Sequence, residues 1–376
     1  MAALRTADIL IIGGGIAGAS LAGRLAAADT GAMVTILEME ERPGYHATGR
    51  SAASYEPTFG PPVIQALTRA SGPFMAGPAE GFAATPLLTP RGAMLLGYGG
   101  DDELVAKALA DGYHEITRND AVARVPLLIT EGIEHFLLDE EAQDIDVDAL
   151  HQGFLKLHRR AGGEVVCRAT VWSGLRQHGA WVLTTSAGDF AAPIVVNAAG
   201  AWADKIAMAL GTLPVGLVPK RRSAAILPPP VDPGFAQWPQ VFPAREPFYC
   251  KPTGGKLMVS PADAEPVEPH DAWADDMRLA EAIEALMATI QIEVTRVERT
   301  WGGLRTFAPD GDPVVGFEPG TEGLFWLAGQ GGYGIQTSPA LSDAACALLL
   351  GRPIPAYVAA EGVCPEQLAV RRPKTQ

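Results

Sequence analysis

The chain has 376 residues, with 29 Lys and Arg against 43 Asp and Glu, which gives a formal net charge of −14 at pH 7. This length predicts roughly two to three domains. The acidic balance argues against a nucleic-acid-binding protein, which needs basic residues to neutralise phosphates, and against a polybasic membrane anchor. The hydrophobic share of 48 % provides ample material for a core and gives no sign of disorder.

The cysteines and apolar runs narrow the class of protein further. The cysteines, at positions 167, 250, 346 and 364, show no CxxC spacing, and no HExxH cluster is present, so we expect neither a disulfide framework nor a metal site. Residues 1–8 do not resemble a signal peptide, and no apolar run approaches the roughly 18 residues that span a bilayer. We therefore expect a cytoplasmic protein without an integral membrane segment.

The N-terminal part of the chain predicts the start of a βαβ unit. Residues 7–12 are apolar and β-branched, which is typical of a buried parallel strand. Further along, the patterns predict a helix at 16–28, a strand at 33–37, a helix that begins near 48 and is stopped by Pro57, a helix at 62–75, hairpin strands between 84 and 99, an amphipathic helix at 146–160 capped near Asp146, and strands at 165–174, 180–185 and 192–197.

The rest of the chain alternates between β-rich and α/β patterns. Its predicted elements are a helix at 202–210, short strands within the Pro-rich stretch 213–269, a helix at 279–290, and strands at 294–306 and 324–327. Ser338 and Pro339 predict an N-cap followed by proline at the first position of a last helix. Such alternation predicts an α/β fold whose two domains are interleaved rather than consecutive.

A dinucleotide-binding loop follows the first strand. Gly13, Gly15 and Gly18 fit GxGxxG, the loop opens a helix, and Glu38 stands 20 residues after Gly18 at the end of the next strand. These glycines allow a tight turn, close approach of a pyrophosphate and close packing of helix on strand, and the helix N-terminus attracts the phosphates. Glu38 would accept bonds from a ribose hydroxyl, which disfavours NADP. A glycine turn without a ligand is the less favoured interpretation.

A second glycine-rich segment distinguishes FAD from NAD. A nicotinamide cofactor needs only the first loop, whereas a flavin must be held along its whole length. Gly331, Gly332 and Gly334 precede a predicted helix whose N-terminal dipole suits the negative charge of reduced flavin. The sequence therefore favours FAD.

Several motifs together resemble a known family. They are the loop at 13–18, HATGRSAA at 46–53, VVNAAGAW at 195–202, KRRS at 220–223, WGGLR at 301–305 and GQGGYGIQ at 329–336. The chain resembles the FAD-dependent D-amino-acid oxidase/dehydrogenase family from about residue 7 to residue 350 and, within that family, is most similar to the catabolic D-arginine dehydrogenases. This implies a flavoprotein that moves a hydride from the Cα of a D-amino acid to flavin N5. The imino acid then hydrolyses to a 2-oxo acid and ammonia.

The resemblance also implies the domains and the site residues. It implies an FAD-binding domain from residues 1–85, 145–215 and 300–376, and an antiparallel-sheet-rich substrate-binding domain from 86–144 and 216–299. Besides Gly13, Gly15 and Gly18, the cofactor-binding residues are expected to be Ala17, Glu38, Met39, Ala47, Thr48, Gly49, Arg50, Ser51, Ala52, Ala53, Ser54, Val171, Gly200, Gly331, Gly332, Tyr333, Gly334, Ile335 and Gln336. Because Gly303 stands where some relatives carry a flavin-linking cysteine, we expect non-covalent FAD.

Expected substrate contacts follow from the same resemblance. Arg222, Tyr249 and Arg305 would bind the substrate carboxylate, the backbone carbonyls of Gly303 and Gly332 would bind its amino group, and Phe59 and Gln336 would line the pocket. The residue chemistry agrees, because a guanidinium is a planar, bidentate partner for a carboxylate, and fixing the headgroup aims Cα at the flavin. A surface or structural ion pair is the alternative interpretation of each arginine.

The sequence departs from the D-arginine dehydrogenases where a substrate guanidinium would need an acid. The matching segment, residues 90–94, carries none, and Ala93 stands at the aligned acidic position. A buried guanidinium without a partner is costly. We therefore predict that arginine and lysine are poor substrates and that apolar or small side chains are preferred. Ser54 also stands where relatives that use basic substrates tend to have histidine, and Phe59 stands where a tyrosine would close the pocket.

Other functions remain open from the sequence. One is oxidation of an N-substituted amino acid such as sarcosine or an opine. Another is oxidation of a 2-hydroxy acid, for which His46 is the nearby candidate base. A third is a non-catalytic flavin-binding subunit of a larger complex, and a nucleotide-binding module without redox chemistry is the least favoured. The electron acceptor is not identified by any motif.

Overall fold

The strands of the computed structural model, which describes residues 4–372, form four sheets. In chain order they are β1 (Arg5–Thr6), β2 (Ile9–Ile12), β3 (Val34–Leu37), β4 (Ser54–Tyr55), β5 (Leu88–Pro90), β6 (Ala93–Tyr98), β7 (His114–Glu115), β8 (Ile133–Asp139), β9 (Gln143–Ile145), β10 (Glu164–Val166), β11 (Val171–Gln177), β12 (Ala180–Thr185), β13 (Gly188–Ala192), β14 (Ile194–Asn197), β15 (Val218–Leu227), β16 (Gln240–Pro243), β17 (Tyr249–Thr253), β18 (Lys256–Ser260), β19 (Arg299–Phe307), β20 (Val314–Phe317), β21 (Leu324–Ala328) and β22 (Gln330–Gly331).

The helices connect and cover these sheets. They are α1 (Ile16–Ala27), α2 (Pro62–Ala76), α3 (Asp102–Ala110), α4 (Arg118–Arg124), α5 (Val147–Arg160), α6 (Ala203–Ala209), α7 (Asp276–Thr289), α8 (Gly334–Leu349), α9 (Ala356–Ala360) and α10 (Pro365–Leu368), with 3-10 helices at Thr48–Arg50, Gly200–Trp202 and Phe235–Gln237. Within residues 4–372, none of the helices combines the length and the apolar character that crossing a membrane requires.

A mostly parallel sheet carries the glycine loop at the end of its central strand. Its strand order is β10-β3-β2-β14-β21-β20, and only β20 pairs antiparallel. All four residues of β2 and all four of β3 are buried, as expected for strands that are covered on both faces. Helix α1 packs against α5 and α8 on one face. The expected α/β fold with a Rossmann-like nucleotide-binding unit is confirmed.

A larger sheet carries the arginines. Its order is β22-β19-β15-β18-β17-β16-β6-β8-β7, and most of its pairs are antiparallel. It has its own hydrophobic core, in which Trp238 and Phe248 are fully buried. Strand β19, which lies in the predicted FAD-binding segment 300–376 except for its first residue, belongs to this sheet. The division into two domains remains a prediction, and its ends at 1–3 and 373–376 lie outside the described residues.

Two predicted elements between residues 48 and 99 differ in the structure. The helix expected from 48 to Pro57 is wrong, because the 3-10 turn ends at Arg50, Ser51 is extended and Ala53 has φ 61°. The chain then runs into β4, which pairs with β9. The expected hairpin is also wrong: β5 pairs with β9, while β6 pairs with β8 and β16 in another sheet.

The start of α8 differs from the prediction as well. The helix begins at Gly334 after Tyr333, so Ser338 and Pro339 lie inside it rather than at its start. A proline cannot donate to the carbonyl four residues earlier. Here the hydroxyl of Ser338 donates instead to that carbonyl, the oxygen of Ile335, at 2.9 Å. The serine thus compensates for the bond that Pro339 lacks.

Candidate functional site

A cavity of about 750 Å³ is bounded by both large sheets. One part is lined by the glycine loop, the end of β3, residues 44–48 and 50–54, and residues 198–202. The other part is lined by residues of β15, β17 and β19 and by residues 330–336. Parallel sheets bind ligands at the carboxyl ends of their strands, and the first part has that position.

The glycine loop has little room for side chains. Gly13 has φ 107°, a conformation that favours glycine, and a Cβ at Gly18 would clash with the carbonyl oxygen of Gly13. A Cβ at Gly15 would instead lie 3.3 Å from the Thr48 hydroxyl, on the cavity side. The first turn of α1 carries no acidic residue. The loop therefore leaves a helix N-terminus open to an anionic ligand.

Glu38 lies at the end of β3 and lines the cavity. Its carboxylate accepts a hydrogen bond from the N–H of Gly14 at 2.8 Å and another from the N–H of Glu40 at 2.9 Å. Burial raises the pKa of this carboxyl above its usual value, although the two N–H donors oppose the shift. The backbone therefore holds Glu38 in place beside the loop.

Arg50 lines the cavity, but its charged end is already bound. Its guanidinium donates to the carbonyl oxygens of Ala272 and Gly302, at 2.8 and 2.9 Å, and pairs with Asp271. The indole N–H of Trp301 donates to the carbonyl of Arg50 at 3.1 Å. Arg50 thus connects the 3-10 turn Thr48–Arg50 to the large sheet. Because its guanidinium is bound there, we expect Arg50 to contribute to the cavity wall through its backbone and Cβ.

Arg222 and Arg305 lie on neighbouring strands and face the same cavity. In the antiparallel pair of β15 and β19, Arg222 lies opposite Gly303, two residues from Arg305, so both arginines are on one face of the sheet. The Nε of Arg222 donates to the carbonyl oxygen of Asp263 at 2.7 Å. Within residues 4–372, the buried Nε of Arg305 has no hydrogen-bond partner.

The electrostatics of this arginine pair favour an anion. Burial and, second, the positive charge of Arg222 lower the pKa of Arg305 to about 10. An anionic group between the two guanidinium groups would relieve their repulsion and supply acceptors for the free donors. The ring of Tyr249 lies 5.9 Å from the Arg222 Cζ. A Cβ at Gly332 would lie only 3.0 Å from Arg305, so glycine keeps this side open.

Aromatic residues close the rest of this part of the cavity. The rings of Phe59 and Tyr333 meet edge to face with centroids 5.6 Å apart. Phe59 is 47 % exposed, which places it at the opening. Burial raises the pKa of Tyr333, so this phenol stays neutral and can donate a hydrogen bond.

Most of the residues expected at the site line the cavity. They are Gly13, Gly15, Ala17, Glu38, Met39, Ala47, Thr48, Arg50, Ser51, Ala52, Ala53, Ser54, Phe59, Val171, Gly200, Arg222, Tyr249, Gly303, Arg305, Gly331, Gly332, Tyr333, Gly334, Ile335 and Gln336. Gly18 and Gly49 do not line it. A Cβ at Gly18 would clash with the carbonyl oxygen of Gly13, and a Cβ at Gly49 would clash with the carbonyl oxygen of Gly44. These two are positioning residues of the backbone.

The cavity wall carries buried polar atoms that need a ligand. Among the described residues, Arg305 Nε, Thr306 Oγ1, Gln330 Nε2 and Gln336 Nε2 are buried without a partner, and all four residues line this cavity. Buried donors without partners are rare in folded proteins. Together with the open start of α1 and the glycines at 331–334, they fit a long cofactor with phosphates and a polar ring system, as FAD has.

Some residues of the lining were missed by the sequence analysis. Glu56 follows β4, is 8 % exposed and has its pKa raised to about 7 by burial. Gln240, Tyr113 and Glu246 also line the cavity. These residues belong to no motif, and only the pairing of distant strands brings them to the site. His46 lines the cavity but contacts Glu40 through Nε2 at 2.8 Å.

Comparison with known proteins agrees with the fold and the cofactor. Glycine oxidase of Geobacillus kaustophilus (strain HTA426) is 31 % identical over 160 residues, 42 % of this chain and 41 % of that protein. The uncharacterized oxidoreductase YurR of Bacillus subtilis (strain 168) is 26 % identical over 230 residues, 54 % of this chain and 59 % of that protein. The match thus spans less than two thirds of either relative.

The whole fold is similar to that of a solved structure. The crystal structure of glycine oxidase from Geobacillus kaustophilus has a TM-score of 0.82 at 22 % identity and covers 99 % of this chain and 100 % of that chain. The family model DAO, described as FAD dependent oxidoreductase, matches residues 8–348. The chain therefore belongs to the DAO family of FAD-dependent oxidoreductases.

Proposed function

We propose that this FAD-dependent oxidoreductase deaminates D-amino acids oxidatively. The observation that carries the proposal is the pair Arg222 and Arg305, two guanidinium groups on one face of a sheet that both line the cavity, with the buried Nε of Arg305 lacking a partner among the described residues. When bound, FAD accepts a hydride from the substrate Cα. The resulting imino acid hydrolyses in water to a 2-oxo acid and ammonia. The D configuration is supported by the resemblance to D-amino-acid oxidases and dehydrogenases described above.

In this proposal the protein acts mainly by positioning. Arg222, Arg305 and the hydroxyl of Tyr249 hold the substrate carboxylate, while the carbonyl oxygens of Gly303 and Gly332 accept hydrogen bonds from the amino group. Holding the headgroup at both ends fixes the direction of the Cα–H bond, which is worth several kcal/mol in oriented reactions, roughly 7–11 at the upper end. No side chain has to act as a strong base, because the amine can lose its proton to water.

The cofactor would lie along the remaining lining. Glu38 would bind ribose hydroxyls, the start of α1 would hold the pyrophosphate, and residues 331–336 would hold the ring system. We propose that FAD is held without a covalent bond, because among the described residues no cysteine lines the cavity. Gln336, Gln330 and Thr306 supply hydrogen bonds that the folded chain leaves unmade.

The side-chain preference predicted from residues 90–94 needs revision. The preference for apolar or small side chains rested on the absence of an acid in that segment. In the structure, Glu56 lines the cavity from another segment, whereas residues 90–94 do not line it. The lack of an acid at 90–94 therefore no longer argues against basic substrates, and the function proposed here concerns the amino-acid headgroup.

The test is anaerobic mixing of the purified holoenzyme with D- and L-amino acids while the visible flavin absorbance is followed. We expect D-amino acids to bleach the flavin and their L enantiomers to do so far more slowly. Bleaching only by L-amino acids, only by N-substituted amino acids or only by 2-hydroxy acids would overturn the proposal. So would a yellow protein that none of these compounds bleaches.

A further inference from the structure

Glu56 is a buried carboxyl group in the cavity wall that the proposed chemistry does not use. It follows β4, and its backbone N–H donates to Oε1 of Gln336 at 3.1 Å. Gln336 lies in the first turn of α8 and lines the same cavity. This bond places Glu56 beside the proposed substrate pocket rather than at the nucleotide end.

Two arginines and two glutamates line the same cavity as Tyr333. They are Arg222, Arg305, Glu56 and Glu246. Burial raises the pKa of the Tyr333 hydroxyl most; the two arginines lower that pKa and the two glutamates raise it, so all four charges lie within electrostatic reach of one side chain. A ligand whose carboxylate is held by the arginines would therefore share the cavity with a carboxyl group.

The burial of Glu56 is not explained by an ion pair with a buried lysine. Lys251 is the cation that lowers the pKa of Glu56, but its Nζ already binds a carboxylate oxygen of Asp144 at 2.6 Å. The other oxygen of Asp144 binds Arg91 at 2.7 Å. Within the described part of the chain, no salt bridge includes Glu56. Burying a carboxyl group without a cation is costly, and buried groups with shifted pKa values in a cavity are candidates for ligand binding.

We propose that Glu56 determines the side-chain specificity of the enzyme by binding an ammonium or guanidinium group at the far end of the substrate. This inference rests on the proposed function, since it assumes that the arginines hold the amino-acid carboxylate. A cation there would replace the water that Glu56 loses on burial, and its charge would favour the ionised carboxylate.

The preference for a cationic side chain should increase with pH. The pKa of Glu56 is raised to about 7, chiefly by burial. Lys251 and the hydroxyl of Ser54 oppose this shift, and Asp139 and Glu246 add to it. Below this pKa the carboxyl group is neutral and attracts a cation weakly. Above it the carboxylate is charged, while a lysine ammonium stays protonated until about pH 10.

The test compares lysine with norleucine, which has the same carbon chain but no terminal amine, each as the enantiomer that bleaches the flavin. We expect wild-type kcat/KM at pH 8 to favour lysine. Glu56→Gln should lower the lysine-to-norleucine ratio roughly ten- to a hundredfold, the worth of a hydrogen-bonded charge. Glu134→Gln, an exposed residue of β8 outside the cavity lining, should leave the ratio unchanged.

A second measurement needs no variant. In the wild-type enzyme, the same ratio of kcat/KM should rise as the pH increases from 6 to 8. The inference is overturned if wild type prefers norleucine at pH 8, if the ratio does not change with pH, or if Glu56→Gln lowers kcat/KM equally for both substrates. In each of these cases the flavin still reacts with amino acids. Failure of the proposed function is a different result, because then D-amino acids do not bleach the flavin.

Discussion

Arg222 and Arg305 lie on adjacent strands although like charges repel, and the pKa of Arg305 is lowered to about 10. If they bind the substrate carboxylate, the planar fork of each guanidinium matters as well as its charge. Arg305→Lys keeps the charge and loses the fork, so we expect kcat/KM to fall roughly a hundredfold, mainly through KM. Arg299→Lys, an exposed position on the same strand, is the control. Equal kinetics for both variants would contradict a carboxylate-binding role.

Glu56 makes the stability of the protein depend on pH. Burial raises the pKa of its carboxyl to about 7 in the folded chain, from an ordinary value of 4.5. The folded state therefore holds a proton between these values that the unfolded chain has lost. The free energy of unfolding should thus fall as the pH rises from 4.5 to 7, by on the order of 3 kcal/mol from this group. Urea denaturation at pH 5 and pH 8 measures this.

Glu56→Gln should remove this part of the pH dependence. Its free energy of unfolding should fall less than that of wild type between the two pH values. An identical pH dependence in the variant and in wild type would mean that Glu56 ionises normally in the folded chain.

Motifs revealed some of these residues and not others. Glu38 could be predicted because the βαβ unit fixes its spacing from Gly18 along the sequence. Arg305 could be predicted because it belongs to the segment WGGLR at 301–305. Glu56 gave no signal, since its importance comes from burial and from contact with residue 336, which is 280 positions away. The partners of the Arg50 guanidinium could not be predicted either, because Asp271 and Ala272 are distant in sequence.

Helix α8 shows how an element tolerates a proline in its interior. The Ser338 hydroxyl donates to the Ile335 carbonyl that Pro339 cannot reach. Ser338→Ala should therefore cost about 1 kcal/mol of the free energy of unfolding. In a Pro339→Ala background, the restored N–H satisfies the same carbonyl, and Ser338→Ala should cost less. A double-mutant cycle by urea denaturation measures the coupling, and zero coupling would contradict this role.

Two glycines of the loop are expected to serve different purposes, Gly18 folding and Gly15 cofactor binding. Gly18→Ala places a methyl group against the Gly13 carbonyl, so we expect insoluble or unfolded protein. Gly15 has φ −70°, which alanine adopts, and its Cβ would face Thr48 and the cavity. Gly15→Ala should therefore fold, with the apoprotein Tm preserved, while FAD affinity falls roughly tenfold. Unchanged affinity, measured by flavin fluorescence, would place the cofactor elsewhere.

Strongly periodic elements were predicted correctly, and those that depend on distant partners were not. The pattern of 146–160 gave helix α5 with Asp146 as its N-cap, whose carboxylate accepts from the N–H of Ala149. Near residue 48 the small residues suggested a helix, but Ala53 at φ 61° turns the chain toward β9. Strands β5 and β6 follow one another closely, yet each pairs with a partner far away in sequence. Local patterns do not encode such pairings.

For the molecule as a whole, the mode of cofactor attachment can be checked directly. We expect acid or heat denaturation of the yellow protein to release all flavin into the supernatant and to leave a colourless pellet. Cys167, Cys250, Cys346 and Cys364 all lie outside the cavity lining. Flavin that stays with the denatured chain would contradict non-covalent binding.

The cavity wall begins at residue 12 and is completed only at residue 336, so the two ends of its lining are among the last parts of the chain to meet. During synthesis on the ribosome, a chain that stops before residue 331 would lack both the glycines at 331–334 and the helix that packs on α1 and α2. The complete cavity wall can therefore form only after residue 336 has been made. In cells short of riboflavin, we expect the finished apoprotein to be degraded faster than the flavin-bound protein, because a ligand that binds only the folded state stabilises it.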